Sequence, residues 1–446
     1  MTTVITYGTF DLLHQGHINL LRRGKAMGDR LVVGVTSDAY DRERGKLNVR
    51  ESLLERIENV RSTGFADEII VEEYEGQKIS DIKRYHADLF VIGSDWTGKF
   101  DYLNAYCRVV YLERTRGVSS TALRNRSVIN IGVIGSGRIA RRFVPESKYV
   151  SGVNVAGVYN PNEAAARGFC AQMQLAFYTA DSQLFYSRVD AVYIASPHQT
   201  HYRYIVESLE AGKHVLCEKP IALTGAEARH AYALAKKKGL VLLEGIKTAY
   251  SPGFEHLQLL ALSGRIGTIR DVEASFTKLS GGPLRELDPR RAGGSVNELG
   301  SYVCLPILKL LGTDYKALHF HALKEGGVDV FTKGIFLYPH ATATFKVGLG
   351  VKTEGELLIS GTKGYLYVPA PWWKTDYFEM RFENLNETNK YFYKFEGEGL
   401  RYELVDFADM IQTGQLESHK YSAAESVAAV QVIERFHQGE GTDWML

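Results

Sequence analysis

The sequence predicts an α/β protein with two parallel-sheet domains and a third domain of the α+β type that carries an open antiparallel sheet. Between residues 1 and 126, short apolar segments alternate with amphipathic ones, the pattern of strands joined by helices. A second apolar segment, 128–134, leads into the run Gly-Ser-Gly-Arg-Ile-Ala at 135–140. From residue 251 onward, segments rich in Val, Phe, Tyr and Thr follow one another with few helices between them. These changes of pattern predict domains at 1–126, 127–250 and 251–446.

Bulk composition favours a soluble enzyme. The 446 residues suffice for two or three domains with full cores, and 45% hydrophobic with 24% charged residues is ordinary for globular protein. A net charge of +1 argues against binding nucleic acid or a membrane surface through bulk charge. No apolar run approaches membrane-spanning length and the N-terminus reads as a strand, so we expect a cytoplasmic location. The cysteines have no metal-ligand spacing and predict buried, reduced thiols: Cys107, Cys170, Cys217 and Cys304.

The first segment predicts a phosphate site at its first helix. Strands are expected at 4–7, 30–35, 68–71, 89–92 and 109–112, with helices at 14–27, 53–61 and 78–86. His14 and His17 lie on one side of the first helix, near an N-terminus that favours anions. A His-x-x-His pair alone is more often incidental. Its place after a strand and a Gly-Thr-Phe-Asp turn, together with a Ser/Thr-rich stretch at 114–121 after the last strand, favours a nucleotide.

Three motifs carry a resemblance over nearly the whole of 1–126. They are Tyr-Gly-Thr-Phe-Asp-Leu-Leu-His-x-Gly-His at 7–17, Gly-Ser-Asp-Trp-x-Gly-Lys-Phe-Asp at 93–101, and Arg-Thr-x-Gly-Val-Ser-Ser-Thr at 114–121. The segment resembles the cytidylyltransferase family, most closely its glycerol-3-phosphate enzymes. The resemblance implies in-line attack of a phosphate monoester on the α-phosphate of CTP, with Mg²⁺ and release of pyrophosphate. Positioning and charge would supply most of the catalysis.

Site residues follow from this resemblance. It implies that His14 and His17 stabilise the transition state and that Lys46 neutralises the triphosphate. Asp11 would lie near the reacting phosphates or their Mg²⁺, and Asp95 near the cytidine. The implied CTP-binding residues are Thr9, Phe10, Asp11, His14, His17, Lys46, Asp95, Arg114, Ser119, Ser120 and Thr121.

The sequence departs from the glycerol enzymes at two places. Gly64 stands before the aromatic-x-Asp-Glu element, where the family carries an arginine, and the nearest arginines are Arg61 and Arg56. Arg116 replaces an acidic residue in the last loop. The acceptor is therefore expected to be glycerol 3-phosphate or a longer polyol phosphate.

The run at 135–140 is Gly-x-Gly-x-x-Ala between a strand and a helix, the context that dinucleotide binding requires. Only a few residues, without Pro or Gly, separate it from the first site, which leaves little room for a flexible linker. The next strand, 153–159, ends at Asn160, where an acidic residue would hold a ribose 2′-hydroxyl. Asn160 can hydrogen-bond but repels no 2′-phosphate, so NAD and NADP both stay open.

A further strand at 214–218 leads into Glu218-Lys219-Pro220. A strand-end lysine is usually only solvated, but together with the dinucleotide motif this run resembles the Gfo/Idh/MocA oxidoreductases over about 128–437. The resemblance implies that Lys219 contacts both the nicotinamide ribose and the reacting oxygen of the substrate. The implied cofactor-binding residues are Gly135, Ser136, Gly137, Arg138, Ile139, Asn160, Ser196, Pro197, His201, Glu218 and Lys219.

A helix expected within 292–312 carries Glu298 and Tyr302, which are four apart and share a face. Its Gly-Gly-x-x-x-Glu-x-Gly-x-Tyr pattern resembles the tyrosine branch of the family, which includes sugar oxidoreductases and dihydrodiol dehydrogenases, with Glu in place of Asp. The resemblance implies that Tyr302 donates a proton to a carbonyl oxygen, that Lys219 lowers the pKa of Tyr302, and that Glu298 orients the pair. His198 and His201 are candidates for substrate contact. A helix at 421–436 is expected to pack back on the cofactor domain.

Together these features predict a bifunctional homodimeric enzyme that makes a CDP-polyol. An NAD(P)H-dependent reductase would convert a keto-sugar phosphate to a polyol phosphate, and the transferase would add CMP from CTP, with no nucleic-acid or membrane partner. Such products are precursors of teichoic-acid-like or capsular polymers in the resembling family. Two alternatives stay open: the second part acts on a CDP-linked or unrelated sugar, or it only binds NAD(P) as a regulator.

Overall fold

A computed structural model describes residues 2–13, 15–43, 49, 51–113, 128–282 and 284–445. The chain divides into two compact units, Met1–Val128 with Tyr149–Gly152, and Ile129–Lys148 with Val153–Leu446. Within the described ranges, no helix is long and apolar enough to cross a membrane. The cysteines Cys107, Cys170, Cys217 and Cys304 are free and buried, as predicted.

The first unit contains a five-stranded parallel sheet in the order β3-β2-β1-β4-β5. Its strands are β1 (Thr3–Gly8), β2 (Arg30–Thr36), β3 (Glu68–Glu72), β4 (Leu89–Gly93) and β5 (Arg108–Leu112). Its helices are α1 (Gln15–Lys25), α2 (Asp38–Glu43), α3 (Leu53–Ser62) and α4 (Gln77–Tyr85). All five predicted strands are present, and the order makes β1 central.

Continuous apolar strands explain why this sheet is covered on both faces. Val4 of β1 belongs to one core cluster and its neighbour Ile5 to another, and Val32 and Val33 of β2 divide in the same way. Successive side chains of a strand point to opposite faces, so both faces are occupied by packing. Ligands can therefore reach the sheet at the carboxyl ends of its strands.

The second unit begins with a six-stranded parallel sheet in the order β11-β10-β9-β6-β7-β8. Its strands are β6 (Ile129–Ile134), β7 (Val153–Tyr159), β8 (Phe177–Thr179), β9 (Ala191–Ile194), β10 (His214–Glu218) and β11 (Leu242–Gly245). Its helices are α5 (Arg138–Ser147), α6 (Glu163–Met173), α7 (Ser182–Tyr186), α8 (His201–Glu210) and α9 (Gly225–Lys238). The strand order reverses between the parallel neighbours β6 and β9, which places a ligand crevice at their carboxyl ends.

A nine-stranded sheet completes this unit, in the order β19-β18-β17-β16-β12-β15-β14-β13-β20. Its strands are β12 (Ile269–Thr277), β13 (Ala317–Glu325), β14 (Val328–Leu337), β15 (Thr342–Gly348), β16 (Leu357–Gly361), β17 (Gly364–Val368), β18 (Tyr377–Phe382), β19 (Asn389–Phe392) and β20 (Thr442–Met445). The remaining helices are α10 (Pro252–Leu262), α11 (Ser295–Leu311), α12 (Leu400–Thr413) and α13 (Ala423–His437).

The sheet is mostly antiparallel, which confirms the predicted open antiparallel sheet, and two of its strand pairs are parallel. β12 pairs with β15 in parallel, and β13 pairs with β20 in parallel. The reason is that α11 and two further strands lie between β12 and β15 in the chain, which leaves room for a crossover connection.

Helix α13 packs on α9 and α11, which confirms the expected return of the last helix to the first sheet of this unit. Glu434 of α13 accepts the backbone N–H of Gly225 at 2.8 Å, and Ser426 donates to the buried carboxyl of Glu244. The same helix therefore braces α11, the element that carries Glu298 and Tyr302.

Candidate active sites

The carboxyl edge of the first sheet gathers buried polar side chains around one arginine. Arg56 is fully buried, and its Nη1 donates to the carbonyls of Thr9 and Thr36 at 2.7 Å each. Its Nη2 pairs with Asp38, whose side chain is 43% exposed. Arg61, by contrast, pairs with Glu58 at the surface. Of the two arginines nearest Gly64, Arg56 is thus the one that reaches the sheet edge.

His17 lies on α1 with its ring edge-on to Phe10, at 5.4 Å between ring centroids. Phe10 is itself buried, and this edge-to-face contact orients the imidazole ring. Asp11 is buried, and its Oδ1 accepts the N–H of Glu51 at 3.0 Å. The Thr9 hydroxyl donates to Asp41 at 2.9 Å. The structure therefore brings Thr9, Phe10, Asp11 and His17 to one edge.

The other residues predicted for this site lie outside the described part of the chain. They are His14, Lys46, Arg114, Ser119, Ser120 and Thr121, together with the side chain of Asp95. Their roles stay predictions.

A polar cluster that the sequence did not single out lies beside the same edge. Lys78 pairs with Glu72, and its Nζ lies 4.7 Å from the centroid of the Tyr7 ring. Tyr7 donates its hydroxyl to Asp81 at 2.8 Å, and burial raises the pKa of Tyr7. Glu72, a charged residue at the end of strand β3, was the one signal of this cluster in the sequence.

The glycine-rich turn after β6 makes close backbone contact with the next strand. Gly135 has φ +101°, and a Cβ there would lie 2.7 Å from the carbonyl oxygen of Ala195. Gly137 begins α5 without a side-chain cap, and a Cβ on it would meet nothing nearer than 3.9 Å. This N-terminus therefore has open space and uncapped N–H groups, the features that a pyrophosphate needs.

Asn160 is held in place by two hydrogen bonds. Its amide donates to the Ser136 hydroxyl at 2.9 Å, and its Oδ1 accepts the N–H of Asn162 at 2.9 Å. The side chain consequently ties the end of β7 to the glycine-rich turn.

The two histidines after β9 differ in their surroundings. His201 is fully buried, and its ring nitrogens lie 2.8 and 2.9 Å from the carbonyls of Pro220 and Ser196. Both ring nitrogens thus face backbone carbonyls, so the ring connects the turn after β9 to the turn after Lys219. A contact of His201 with cofactor or substrate stays a prediction. Ser196 accepts the Thr200 hydroxyl at 2.7 Å, and Pro197 is exposed beside it.

Lys219 meets helix α11 directly. Its Nζ donates to the backbone carbonyl of Glu298 at 2.8 Å and lies 5.7 Å from the centroid of the Tyr302 ring. The preceding Glu218 accepts the Tyr193 hydroxyl at 2.6 Å. Lys219, Glu298 and Tyr302 are thus brought together, as expected from the sequence.

Glu298 acts differently from the expectation. Its carboxylate accepts Nη2 of Arg285 at 2.7 Å and lies 3.8 Å from Nδ1 of His198. It therefore orients Lys219 through its backbone, while its side chain holds Arg285. Burial, followed by Lys219, His201 and Arg285, lowers the pKa of His198 well below its usual value, so His198 is neutral here.

The pKa of Tyr302 is raised in this structure, and the lowering expected from Lys219 does not reverse that direction. Burial raises the pKa of Tyr302, and the carboxyl groups of Glu218, Glu403 and Glu298 raise it further. The physical reason is that Lys219 faces the ring and donates to a carbonyl, while several carboxyl groups surround the tyrosine. Tyr302 consequently holds its proton at neutral pH.

Glu286 connects the glycine-rich turn to the nine-stranded sheet. Its Oε1 lies 3.2 Å from Nη2 of Arg138 and 3.3 Å from Nζ of Lys278. Burial opposes its ionisation, but backbone hydrogen bonding, Lys278 and Arg138 lower the pKa of Glu286 to about 2. Nearby, the side-chain amide of Gln199, which follows β9, donates to the backbone carbonyl of Arg290 at 2.6 Å.

Comparison with known proteins matches the chain in three stretches. Residues 5–126 match the cytidylyltransferase-like family, 129–246 the oxidoreductase family with an NAD-binding Rossmann fold, and 254–367 the GFO/IDH/MocA C-terminal domain. A glycerol-3-phosphate cytidylyltransferase of Bacillus spizizenii is 46% identical over 129 residues, covering 28% of this chain and 95% of that protein. A trans-1,2-dihydrobenzene-1,2-diol dehydrogenase of Oryctolagus cuniculus is 30% identical over 262 residues, covering 57% of this chain and 79% of that protein.

The chain belongs to both families. Its first part is a cytidylyltransferase-like domain and its second an oxidoreductase of the GFO/IDH/MocA family. A solved 3-ketoreductase from Actinomadura kijaniata, in complex with NADP and TDP-benzene, has the same fold as the second part, with a TM-score of 0.64 and 21% identity over 71% of this chain and 99% of that one.

The cytidylyltransferase-like and oxidoreductase parts fit their implied cofactors unequally. NAD(P) binding belongs to the oxidoreductase family, and the open, uncapped N-terminus of α5 suits its pyrophosphate. For Mg²⁺, no cluster of three potential ligand side chains occurs among the described residues. Asp11 offers one carboxylate, which agrees with a cation held mainly by nucleotide phosphates.

Several residues of the oxidoreductase site had no sequence signal. Arg285 and Glu286 lie in a single 3-10 turn, Arg285–Leu287, and Phe276 lies in a strand, where an aromatic residue is ordinary core. The adjacent tryptophans Trp372 and Trp373 were the available hint, because paired indoles are rare.

Proposed function

We propose that this chain reduces a phosphorylated ketose with NAD(P)H and transfers CMP from CTP to the resulting polyol phosphate, glycerol 3-phosphate being the first acceptor to test. The observation that carries the proposal is the assembly of Lys219 against α11, with its ammonium 2.8 Å from the Glu298 carbonyl and beside Tyr302. The two activities share a polyol phosphate, and one chain encodes both. We also propose the domain limits 1–126, 127–250 and 251–446.

In the reductive step, a hydride comes from NAD(P)H when the cofactor is bound. Tyr302 retains its proton at neutral pH and so presents an O–H to the carbonyl oxygen of the substrate. The ammonium of Lys219 would stabilise the negative charge that builds on that oxygen. Neutral His198 adds no competing charge, and Arg285 keeps Glu298 in place.

In the transfer step, His17 would donate to the phosphates from the first helix, held in orientation by Phe10. Arg56 and Asp38 mark where the acceptor would enter, because Asp38 is partly exposed at the same sheet edge. Mg²⁺, bound with CTP, would neutralise part of the triphosphate charge, with Asp11 as its candidate protein ligand. His14, Lys46 and residues 114–121 would complete the site.

Reduction before transfer is the proposed order, with NAD and NADP both as candidate coenzymes. A homodimer in the cytoplasm and a product destined for a teichoic-acid-like or capsular polymer complete the proposal. The alternative order, reduction of a CDP-linked ketose, draws support from the 3-ketoreductase neighbour, whose structure was solved with a TDP compound.

Product analysis by mass spectrometry tests the proposal. One tube contains CTP, Mg²⁺ and glycerol 3-phosphate; a second contains CTP, Mg²⁺, NADH, NADPH and a mixture of ketose phosphates. We expect CDP-glycerol in the first, or a heavier CDP-polyol in the second whose mass gives its carbon count. If the second tube contains no reduced product from free or CDP-linked ketoses, the reductase assignment is refuted.

Paired variants separate the two activities. His17→Asn should abolish CMP transfer alone, and Lys219→Met should abolish reduction alone. The matched controls are His86→Asn and Lys213→Met, since His86 precedes β4 and Lys213 precedes β10, at the opposite edge of each sheet from the ligand. Loss of activity in a control at the level of its partner variant would contradict the site assignment.

A further inference from the structure

A groove of about 570 Å³ opens on the nine-stranded sheet, and the rings of Trp373 and Phe276 separate it from Tyr302. Leu279, Pro371 and Trp373 give it an apolar wall, and Lys278 and Lys352 add two ammonium groups. Both lysines follow strand ends of one edge, because β12 ends at Thr277 and its parallel neighbour β15 ends opposite it, at Gly348. None of the residues predicted from the sequence for either site lines this groove.

Stacked rings connect the groove to the reacting group. The Trp373 indole lies on the Phe276 ring at 3.6 Å between centroids and 5° between planes. Phe276 in turn meets Tyr302 edge to face at 5.2 Å. The row of rings Tyr302, Phe276 and Trp373 therefore connects the proposed proton donor to the groove.

The charges in the groove differ in how far they are neutralised. Lys278 shares Glu286 with Arg138, so one carboxylate faces two cations. Lys352 donates to the carbonyl of Thr353 at 2.6 Å, and no carboxylate pairs with it among the described residues. The groove thus presents a net positive charge on an apolar surface, an arrangement that attracts a compact anion.

We propose that this groove is the anion subsite of the reductase and that Lys352, assisted by Lys278, binds the phosphate of the ketose substrate. This inference rests on the proposed function and adds to it that the reduced substrate carries a phosphate ester. The stacked pair Phe276 and Trp373 is the platform along which the carbon chain lies. A CDP-linked ketose would place its diphosphate on the same lysines, so the test includes both substrates.

The test compares phosphorylated and unphosphorylated forms of one ketose. Lys352→Met is assayed with the ketose phosphate that wild type reduces, with its phosphatase-treated form, and with the CDP-linked ketose. Lys333→Met serves as a matched control, because Lys333 is an exposed lysine on β14 of the same sheet, outside the groove. We expect KM for the ketose phosphate to rise about tenfold or more, the loss of one charge-assisted contact, with kcat nearly unchanged.

The outcomes separate this inference from the proposed function. An equal KM for the ketose phosphate in wild type, Lys352→Met and Lys278→Met overturns the subsite, even if reduction itself is observed. A KM increase confined to the CDP-linked ketose retains the anion subsite but overturns the monoester as its occupant. If no ketose is reduced at all, tryptophan fluorescence is titrated with inorganic phosphate and with CDP. If the anions quench the fluorescence less in Lys352→Met than in wild type, and equally in Lys333→Met and wild type, the anion subsite is upheld. If the quenching in Lys352→Met equals that of wild type, the anion subsite is overturned.

Discussion

Replacing each of the two glycines of the dinucleotide turn by alanine should impair a different property, the stability of the fold for Gly135 and the affinity for NAD(P)H for Gly137. Gly135 has φ +101°, which an L-residue rarely adopts, and its new Cβ would lie 2.7 Å from the Ala195 carbonyl oxygen. The backbone strain alone costs about 1–3 kcal/mol. Because the opposing atom belongs to the backbone at the end of β9, that strand must also shift. We therefore expect Gly135→Ala to lower the free energy of unfolding by about 2–4 kcal/mol.

Gly137→Ala is the matched comparison. Gly137 has φ −77°, which alanine adopts freely, and its Cβ would have 3.9 Å of clearance. Its stability loss should stay below about 1 kcal/mol. The new methyl group would instead project at the N-terminus of α5, where the pyrophosphate approaches, so NAD(P)H affinity should fall by about tenfold or more.

Urea unfolding and NAD(P)H titration distinguish the two effects. Trp372, Trp373 and Trp444 all lie in the second unit, so tryptophan fluorescence reports mainly on the unfolding of that unit. CMP transfer by the first unit serves as an internal control and should be unchanged in both variants. The reasoning is refuted if Gly135→Ala unfolds at the wild-type urea concentration, or if Gly137→Ala loses as much stability as Gly135→Ala.

Three further predictions concern the second unit. Arg401→Met should lower the free energy of unfolding by about 3–5 kcal/mol, because it leaves the buried carboxylate of Glu146 without its bidentate partner at 2.7 and 2.9 Å. Adding Glu146→Gln should recover part of that loss, as measured by urea unfolding. Burial raises the pKa of Glu244 to about 7, so the protonated carboxyl stabilises the fold fully below pH 4.5, and this contribution of about 3 kcal/mol is lost as the pH rises to 7. Glu244→Gln should remove this part of the pH dependence of the free energy of unfolding, which urea midpoints at pH 5 and pH 8 measure. Glu298→Gln should leave NAD(P)H affinity unchanged, because Lys219 donates to the backbone carbonyl of residue 298 and not to its side chain. It should lower kcat, because the amide binds Arg285 more weakly than the carboxylate does. An unchanged kcat would contradict a role of the Glu298 carboxylate in positioning Arg285.

The parallel sheets could be predicted because their signals are local. Strands buried on both faces read as short apolar runs, as in β1, and Gly or polar residues mark where each ends. Local signals at strand ends also identified the glycine-rich turn and Lys219 as neighbours, because the carboxyl ends of parallel strands lie at one edge of the sheet. The nine-stranded sheet was less accessible to prediction. Its parallel pairing of β12 with β15 depends on contacts between residues about 70 positions apart, which no local pattern encodes.

Side-chain roles were predictable only as far as residue type and element placement decide them. Lys219, Glu298 and Tyr302 were correctly grouped, whereas the contacts of His201 with the Pro220 and Ser196 carbonyls had no signal in the sequence. A histidine after a strand looks the same in sequence whether its ring faces a ligand or backbone carbonyls, because the difference depends on the path of the chain at Pro220.

The direction of the Tyr302 pKa shows why a pair of neighbours is not enough to assign a mechanism. Lys219 alone would favour the phenolate, yet burial of Tyr302, followed by Glu218 and the fully buried Glu403, raises the pKa of Tyr302. Glu403 comes from α12, about 100 residues beyond Tyr302, and no hydrogen-bond partner for either of its carboxyl oxygens occurs among the described residues. Burial, first, and the neighbouring Glu218 raise the pKa of Glu403 well above its usual value. With these carboxyl groups beside it, Tyr302 keeps its proton across the neutral range. In the proposed reduction, Tyr302 would give that proton and Lys219 would stabilise the oxygen that receives it, because a tyrosine already ionised by its lysine would have no proton to give.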